Sequence, residues 1–321
     1  MRAAVVTRWG AGPVLADFPE PVAQPGEQVV DILAAGVHPI VRSLAAGSHY
    51  GSAGQLPMIP GVDAIGRLPD GRPAYIGFAR APYGTLSERT VLPAAFGLPL
   101  PESDVSPTVF AATLNPAVAA WLALAHQAEL LAGETVLVLG ATGASGQLAV
   151  QLARELGAGW VVAAGRNMRV LDRLLGRGAD AAVRLDTDPV DLRAAIADAA
   201  AGPVHVIIDY LWGPPTEAAI AAITHAGLRH TRPRVRLVEV GEMAGPTISL
   251  PASVLRSSGL RILGSGAGSV DPAVVVAALS RIMPRIADGS LRVPVRQARL
   301  DDVVQAWAEP DRDGERLVAV P

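Results

Sequence analysis

Six apolar runs punctuate the middle of this chain, and patterns of helical period fill most of the gaps between them. The runs stand at Thr135–Leu139, 160–164, 181–185, 204–209, 235–240 and 260–263. The helical patterns lie at 143–156, Met168–Leu175, 190–200 and 215–225. A short continuous apolar run reads as a strand covered on both faces. Strands that alternate with helices make βαβ units, whose strands lie parallel. Right-handed crossovers leave few ways to wind such a series. The expectation is an α/β protein built on a doubly wound parallel sheet of the Rossmann kind.

The first hundred residues read differently. Short strand patterns at 3–7, 28–34 and 64–68 are separated by turns such as EPVAQPGEQ and LPDGRPA. That punctuation predicts a compact all-β domain. The segment 108–131 is Ala-rich and helical, with a break or kink expected at Asn115-Pro116. After about Ser269 come a helix at 272–286, the strand-like LRVPVRQARL and the helical DDVVQAWAE. This tail is expected to return to the first domain. No internal repeat or low-complexity linker is visible.

The first apolar run ends in a glycine-rich turn that opens a helix, VLVLGATGASGQLAVQLARELGA. Backbone N–H groups at a helix N-terminus can hold phosphate. Aligned to G-x-G-x-x-G, the turn reads Ala141, Thr142, Gly143, Ala144, Ser145, Gly146, with Gly140 just before. Gly143 lets the backbone approach a pyrophosphate, and Gly146 lets the helix pack on its strand. Ala141 stands where the fingerprint has its first glycine. The strand before, the helix after and the βαβ series around it supply the context the motif requires.

NAD enzymes place a carboxylate about 20 residues beyond this fingerprint, on the ribose 2′-hydroxyl. Here the second run ends in VVAAGRNMR, and Gly165, Arg166 and Asn167 occupy that place. An arginine fork suits the 2′-phosphate that distinguishes NADP from NAD. Arg169 is a second candidate for the same contact.

Composition removes several classes. The chain has 321 residues, half of them hydrophobic, and a net charge of −3. That charge offers no field for nucleic acid or an anionic membrane. There is no cysteine, so disulfides, thiolate metal sites and a cysteine nucleophile are excluded. All 27 basic side chains are arginine. A Walker-type phosphate loop, a Schiff-base enzyme and the Tyr-x-x-x-Lys pair of short-chain dehydrogenases all need a lysine. The start, MRAAVVTRWGAG, lacks the apolar stretch of a signal peptide, and no window holds 18 or more uninterrupted apolar residues. A soluble cytoplasmic protein is expected.

Over nearly its whole length the chain resembles the medium-chain dehydrogenases/reductases, and most closely their zinc-independent quinone oxidoreductase branch. AAGVHPIVRSLAAGSHY is similar to that branch's AAGVNP…Y stretch, and LPMIPGVDAIGRL to its P-G-x-D/E-x-x-G strand entry. YGTLSERTVLP resembles its Y-A-E-Y-x-V-x-P strand, and ATLNPAVAAWLAL its lead-in helix. HVIIDYLWG, RLVEVGEMAG and LPASVLRSSGLRILGSG match later landmarks in order and spacing. The resemblance implies a GroES-like catalytic β domain from 1–112 and 266–321, and a Rossmann NADP-binding domain from 113–265. It also implies a homodimer joined through the nucleotide domains. Zinc-dependent members carry a catalytic Cys and a His-Glu pair where this chain has His38 and Val62-Asp63, and their four-Cys lobe has no counterpart. Two candidate ligands are too few for a catalytic zinc site, so no metal is expected.

The chemistry implied is hydride transfer from NADPH to a quinone or an α,β-unsaturated carbonyl. The protein's part is orientation, a dry pocket and donors to the developing oxyanion. His38 replaces an Asn common in the family and is either a donor to the acceptor oxygen, an orienter of the nicotinamide ribose, or a packed residue beneath the cofactor. Tyr50 falls where relatives place a Tyr facing substrate, and a loop-packing role is the alternative. Arg42 either steers an anionic acceptor or is solvated. Asn115 either binds cofactor or substrate or caps the segment after the expected break. Leu211 and Trp212 should border the adenosine ribose. Gly241, Glu242, Met243, Ser265 and Gly266 follow strands whose C-ends face the ligand crevice. The loop with Arg229, Arg232, Arg234 and Arg236 reads as a solvated connection, since no aromatic residues interleave. EPDRDGER reads as a surface turn. Three alternatives stand beside the reductase: a non-catalytic NADPH-binding protein of the same fold, a dehydrogenase acting on an alcohol, and one domain of a polyketide enoyl reductase, which would call for flanking modules.

Overall fold

Short strands between Pro- and Gly-bearing turns assemble the N-terminal part of the protein. In the computed structural model, which describes residues 1–52, 55–224, 234–266, 268–310 and 313–321, β1 (Arg2–Val5) pairs antiparallel with β2 (Val14–Asp17). The long β3 (Glu27–Gly36) is the centre of a larger sheet. It leads to α1 (Pro39–Ala46), which Pro39 opens and Gly47 closes at φ +76°. A glycine there takes the left-handed conformation at no steric cost. β4 (Asp63–Arg67) and β6 (Arg89–Pro93) both pair antiparallel with β3. β5 (Pro73–Gly77) lies between β4 and β7 (Gly97–Pro99).

α2 (Pro107–Trp121) runs helical straight through Asn115-Pro116, where the sequence predicts a break, and passes into a π-helical stretch, Leu122–Gln127. Pro116 removes one helix hydrogen bond and costs about 3 kcal/mol in a helix interior. Burial outweighs that cost: Leu114, Ala117, Val118 and Ala120 are all enclosed, and each large side chain so buried contributes about 1.5–3 kcal/mol. The run Pro107–Gln127 has the length and mean hydropathy (1.5) of a membrane span, yet 67% of its apolar window is buried inside the protein, as in a core helix.

The expected strand and helix series follows. It comprises β8 (Thr135–Leu139), α3 (Ala144–Glu155), β9 (Trp160–Gly165), α4 (Met168–Leu175), β10 (Ala181–Arg184) and α5 (Pro189–Ala199). β11 (Val206–Asp209), α6 (Gly213–Thr224), β12 (Arg236–Glu239), α7 (Ala252–Ser258) and β13 (Arg261–Gly264) complete it. All six strands are parallel, in the order β10-β9-β8-β11-β12-β13. The order reverses at β8, which is the switch point of a doubly wound Rossmann sheet. β8 is buried at every residue, and Leu137, Leu139, Val162, Ile207 and Leu237 fill the core around it.

The tail contributes α8 (Pro272–Ala287), β14 (Val295–Arg299), α9 (Val303–Ala308) and β15 (Arg316–Val320). β14 pairs with β15, and β15 pairs antiparallel with β3, so the tail completes the N-terminal sheet. Leu300, Val303 and Leu317 join Val30, Ile32, Ile76 and Leu92 in its core. The chain divides into two compact units, Met1–Asn115 with Met283–Pro321, and Pro116–Ile282. The second unit therefore extends past β13 into α8.

Candidate active site

In a sheet whose strands are all parallel, every strand ends at the same edge. The turns after β8, β9, β11, β12 and β13 therefore collect Ala141 to Gly146, Gly165 to Asn167, Leu211, Trp212, Gly241 to Met243, Ser265 and Gly266 along one rim.

The turn after β8 is built around three glycines with different duties. Gly140 has φ +83°, and its N–H and that of Ala141 both donate to the Ala164 carbonyl at 2.9 Å. The tight-turn glycine is thus Gly140, one residue ahead of the expected place. Ala141, buried and with its N–H committed to β9, is part of the scaffold. At Gly146 a Cβ would lie 2.3 Å from the Gly140 carbonyl oxygen, so only glycine lets α3 approach the turn. Gly143 is another case. It is exposed, its φ of −77° suits any residue, and a Cβ there would meet nothing nearer than 3.6 Å. No internal contact calls for glycine there. Gly143 is also the N-cap of α3 and gives no side-chain cap to it. The first-turn amides of Ala144, Ser145 and Gly146 have no intrahelical acceptor. These features fit an anionic pyrophosphate.

At the end of β9, Gly165 is required by Thr142, whose Cγ2 would lie 2.4 Å from a Cβ. Arg166 is exposed and makes no hydrogen bond or ion pair among the described residues. The nearby Asp186 is engaged by the Arg184 fork, whose hydrogen bonds hold that carboxyl below its usual range, with a smaller contribution from Arg166. Asn167 caps α4, its side-chain oxygen accepting from the Val170 N–H at 3.3 Å. Arg169 lies exposed on α4.

The turn after β11 rests on a buried carboxylate that the sequence reading passes over. Asp209 Oδ1 accepts from the Leu211 and Trp212 N–H groups at 2.9 and 3.0 Å, and Oδ2 from the Thr216 hydroxyl at 2.6 Å. These bonds hold Trp212 at φ +54°, a left-handed conformation rare for a bulky residue. Burial raises the proton affinity of Asp209, against the pull of those hydrogen bonds. Glu239, its neighbour on β12, is raised by burial first and then by Asp209 and Glu242. Glu242 and Met243 are exposed, and the Glu242 carbonyl closes a turn by accepting from the Gly245 N–H at 3.1 Å. Ser265 is buried, and its N–H donates to the Glu239 carbonyl at 2.8 Å. Gly266 forms a small turn with Ser269.

A second cluster lies in the N-terminal unit. His38 precedes α1, and its Nε2 lies 3.3 Å from Asp63 Oδ1. Gly36 makes room for the ring: a Cβ there would sit 2.5 Å from Nε2. The Tyr75 hydroxyl donates to Asp63 Oδ2 at 2.8 Å. Burial next to the Asp63 carboxylate pushes the Tyr75 phenol well above its ordinary range. His38 is only 2% exposed, with both ring nitrogens enclosed, so in this conformation no ligand reaches it. Among the described residues no group of three His, Cys, Asp or Glu side chains is placed to hold a metal.

Two sequence expectations are corrected by this geometry. Asn115 caps nothing, because α2 does not break. Tyr50, expected either to face substrate or to pack in its loop, is 78% exposed with its ring 4.0 Å from that of His49. Arg42 is neither solvated nor free to steer a ligand: it donates to the Trp307 carbonyl at 2.7 Å and stacks on the Trp307 ring. In the basic loop, Arg229 and Arg232 lie outside the described residues, while Arg236 pairs with Glu134 and donates to the Ala128 carbonyl. Asp311 and Arg312 of the acidic turn are also outside. Of the residues missed, Asp209 has a visible signal, a carboxylate ending an apolar run just before a helix. Tyr75 has none, since PAYIG reads as an ordinary strand.

No family model matches the chain. It is 27% identical to a protein of Emericella nidulans described as a probable NADPH-dependent quinone reductase, across all of both chains. It is similar in structure to the quinone oxidoreductase of Thermus thermophilus, with 30% identity, full coverage of both chains and a TM-score of 0.82; that enzyme's structure was determined with NADPH. A NAD-dependent alcohol dehydrogenase shares the fold at 22% identity, full coverage and a TM-score of 0.83. With a pyrophosphate-fitting turn at the switch point of its sheet and relatives that match from end to end, the chain belongs to the quinone-oxidoreductase-like branch of the medium-chain dehydrogenases/reductases.

Proposed function

We propose that the protein is an NADPH-dependent reductase of quinones or α,β-unsaturated carbonyls that works without zinc. The observation that supports the cofactor reading is the open cradle at Gly143, where no internal contact requires glycine and a ligand seated on the turn would. The Ala144, Ser145 and Gly146 amides take the pyrophosphate, Arg166 the 2′-phosphate, and Leu211 and Trp212 the adenosine ribose, with Asp209 fixing their backbone. Gly241, Met243, Ser265 and Gly266 line the remainder of the rim. NADPH supplies the hydride, and an electron-poor ring or β-carbon receives it without a Lewis acid. Metal assistance is disfavoured by the donor set, since His38 and Asp63 make two ligands where a catalytic zinc site uses three. The enclosure of His38 favours its packed role, with solvent as the source of the proton.

The proposal includes a homodimer. β13 is an edge strand of the parallel sheet, its four residues are all at least partly exposed, and Ile262 on it is 36% exposed. An open apolar edge of this kind is a template for a second copy. A cytoplasmic location and no nucleic-acid partner complete the reading.

The test follows NADPH absorbance with 1,4-benzoquinone, 9,10-phenanthrenequinone and a simple enone as acceptors. NADPH is expected to be consumed with at least one of them. Tight NADPH binding with no acceptor reduced across the panel would assign the non-catalytic role instead.

A further inference from the structure

The loop after β10 holds an ion pair that does little for the fold. β10 is an edge strand, and it pairs with β9 so that Arg184 stands opposite Gly165, the residue before Arg166. The Leu185 N–H carries the pairing one step further, donating to the Gly165 carbonyl at 3.0 Å. Neighbouring strands lie about 4.8 Å apart, and residues in register on parallel strands face the same side of a sheet. A Cβ on Gly165 would stand 2.4 Å from Thr142 Cγ2, in the turn proposed to hold the pyrophosphate. Arg184 therefore leaves β10 on that same face, one strand away from Arg166. Its side chain is 57% exposed, and Asp186 accepts from its Nε and Nη2 together. Asp188, two residues on, has an evident duty: it caps α5 by accepting from the Val190 N–H at 2.9 Å. Asp186 has no such duty, and among the described residues it bonds no side chain but Arg184. An exposed pair of this kind adds little to stability.

We propose that Arg184 is a second arm for the 2′-phosphate of NADPH, and that Asp186 occupies its fork until the phosphate displaces it. This rests on the NADPH reading above. A carboxylate engaged by Nε and Nη2 together fills the fork as two phosphate oxygens would. A phosphate monoester carries about −1.5 to −2 charge at neutral pH, more than a carboxylate, so the fork passes to the phosphate when the two compete. Arg166, which makes no ion pair among the described residues, supplies the first arm. Asp186 thereby sets selectivity, since it competes with the 2′-phosphate and with nothing on NADH. The Arg184 hydrogen bonds that hold the Asp186 carboxyl below its usual range keep it ionised, and so competing, throughout the neutral range.

The experiment titrates NADPH and NADH calorimetrically into the wild type, Arg184→Ala, Asp186→Ala and the double variant. Both side chains are exposed, and the ratio of the two affinities does not depend on the folded fraction, so a loss of stability alone leaves it unmoved. Arg184→Ala is expected to weaken NADPH about tenfold and leave NADH within about twofold. Asp186→Ala is expected to tighten NADPH about threefold, again without moving NADH. In the double variant that gain should vanish, and the protein should bind NADPH as Arg184→Ala does. A gain that survives without Arg184 would mean that Asp186 merely repels the phosphate at a distance, and overturns the proposal. So does an Asp186→Ala protein that binds NADPH no tighter than the wild type, or an Arg184→Ala protein that binds it no more weakly. A wild type that binds NADPH no better than NADH would instead overturn the reading beneath it.

Discussion

Three glycines within seven residues look alike in the sequence, yet the structure gives them separable costs. Gly146 is fixed by the fold, since a Cβ would stand 2.3 Å from a carbonyl oxygen with no flexible neighbour to yield. Gly143 has room for a methyl group inside the protein, so the proposed reason for its glycine is the close approach of a ligand. Gly146→Ala is expected to lower the melting temperature, with a loss of roughly 1–3 kcal/mol from overpacking. Gly143→Ala should stay within about 0.5 kcal/mol of the wild type while weakening NADPH binding about tenfold or more. Thermal melts and NADPH titration on the same samples check both. A Gly143→Ala protein that binds NADPH as the wild type does would show that the open cradle serves nothing.

Among elements, the turn from β11 into α6 depends most on a single group. Asp209 supplies acceptors for three donors, and an Asn there offers one oxygen, so Asp209→Asn is expected to cost about 1–3 kcal/mol. Burial raises the folded-state proton affinity of Asp209 above its unfolded value of 3.8. A raised carboxyl contributes stability that is full below the unfolded value and is lost as pH rises through the folded one. Asn does not titrate. The gap in stability between wild type and Asp209→Asn should therefore be widest in acid and narrow as pH rises from about 4 toward neutrality. Denaturant unfolding across that range measures it, and a gap that widens with pH contradicts the account. Elements also mark where the sequence can be read. The six apolar runs are strands because each is enclosed on both faces, a pattern that needs no context to recognise. β2, β5, β7 and β15 escape the sequence reading, being short and carrying a period-two signal too brief to stand out. Asn115-Pro116 misleads for a different reason: local backbone chemistry predicts a break, and burial of α2 overrides it.

At the scale of the whole molecule, the fold is legible because alternating strands and helices admit few windings, and because relatives match over the full chain. The rim of strand ends is legible for the same reason, since parallel strands place their C-ends together. The buried cluster is not, because it depends on side chains from β4, β5 and the entry to α1 meeting in three dimensions. His38 reads as a catalytic candidate in the sequence, whereas in the structure both its ring nitrogens are enclosed. The central claim is that this Rossmann unit selects NADPH through Arg166 for reduction of a metal-independent acceptor. Its most direct measurement is kcat/KM for NADPH and for NADH with one fixed quinone, in the wild type and in Arg166→Ala. The account predicts a wild-type preference for NADPH that falls by about tenfold or more in the variant, with little change for NADH. Equal losses for the two cofactors, or no preference in the wild type, would contradict it.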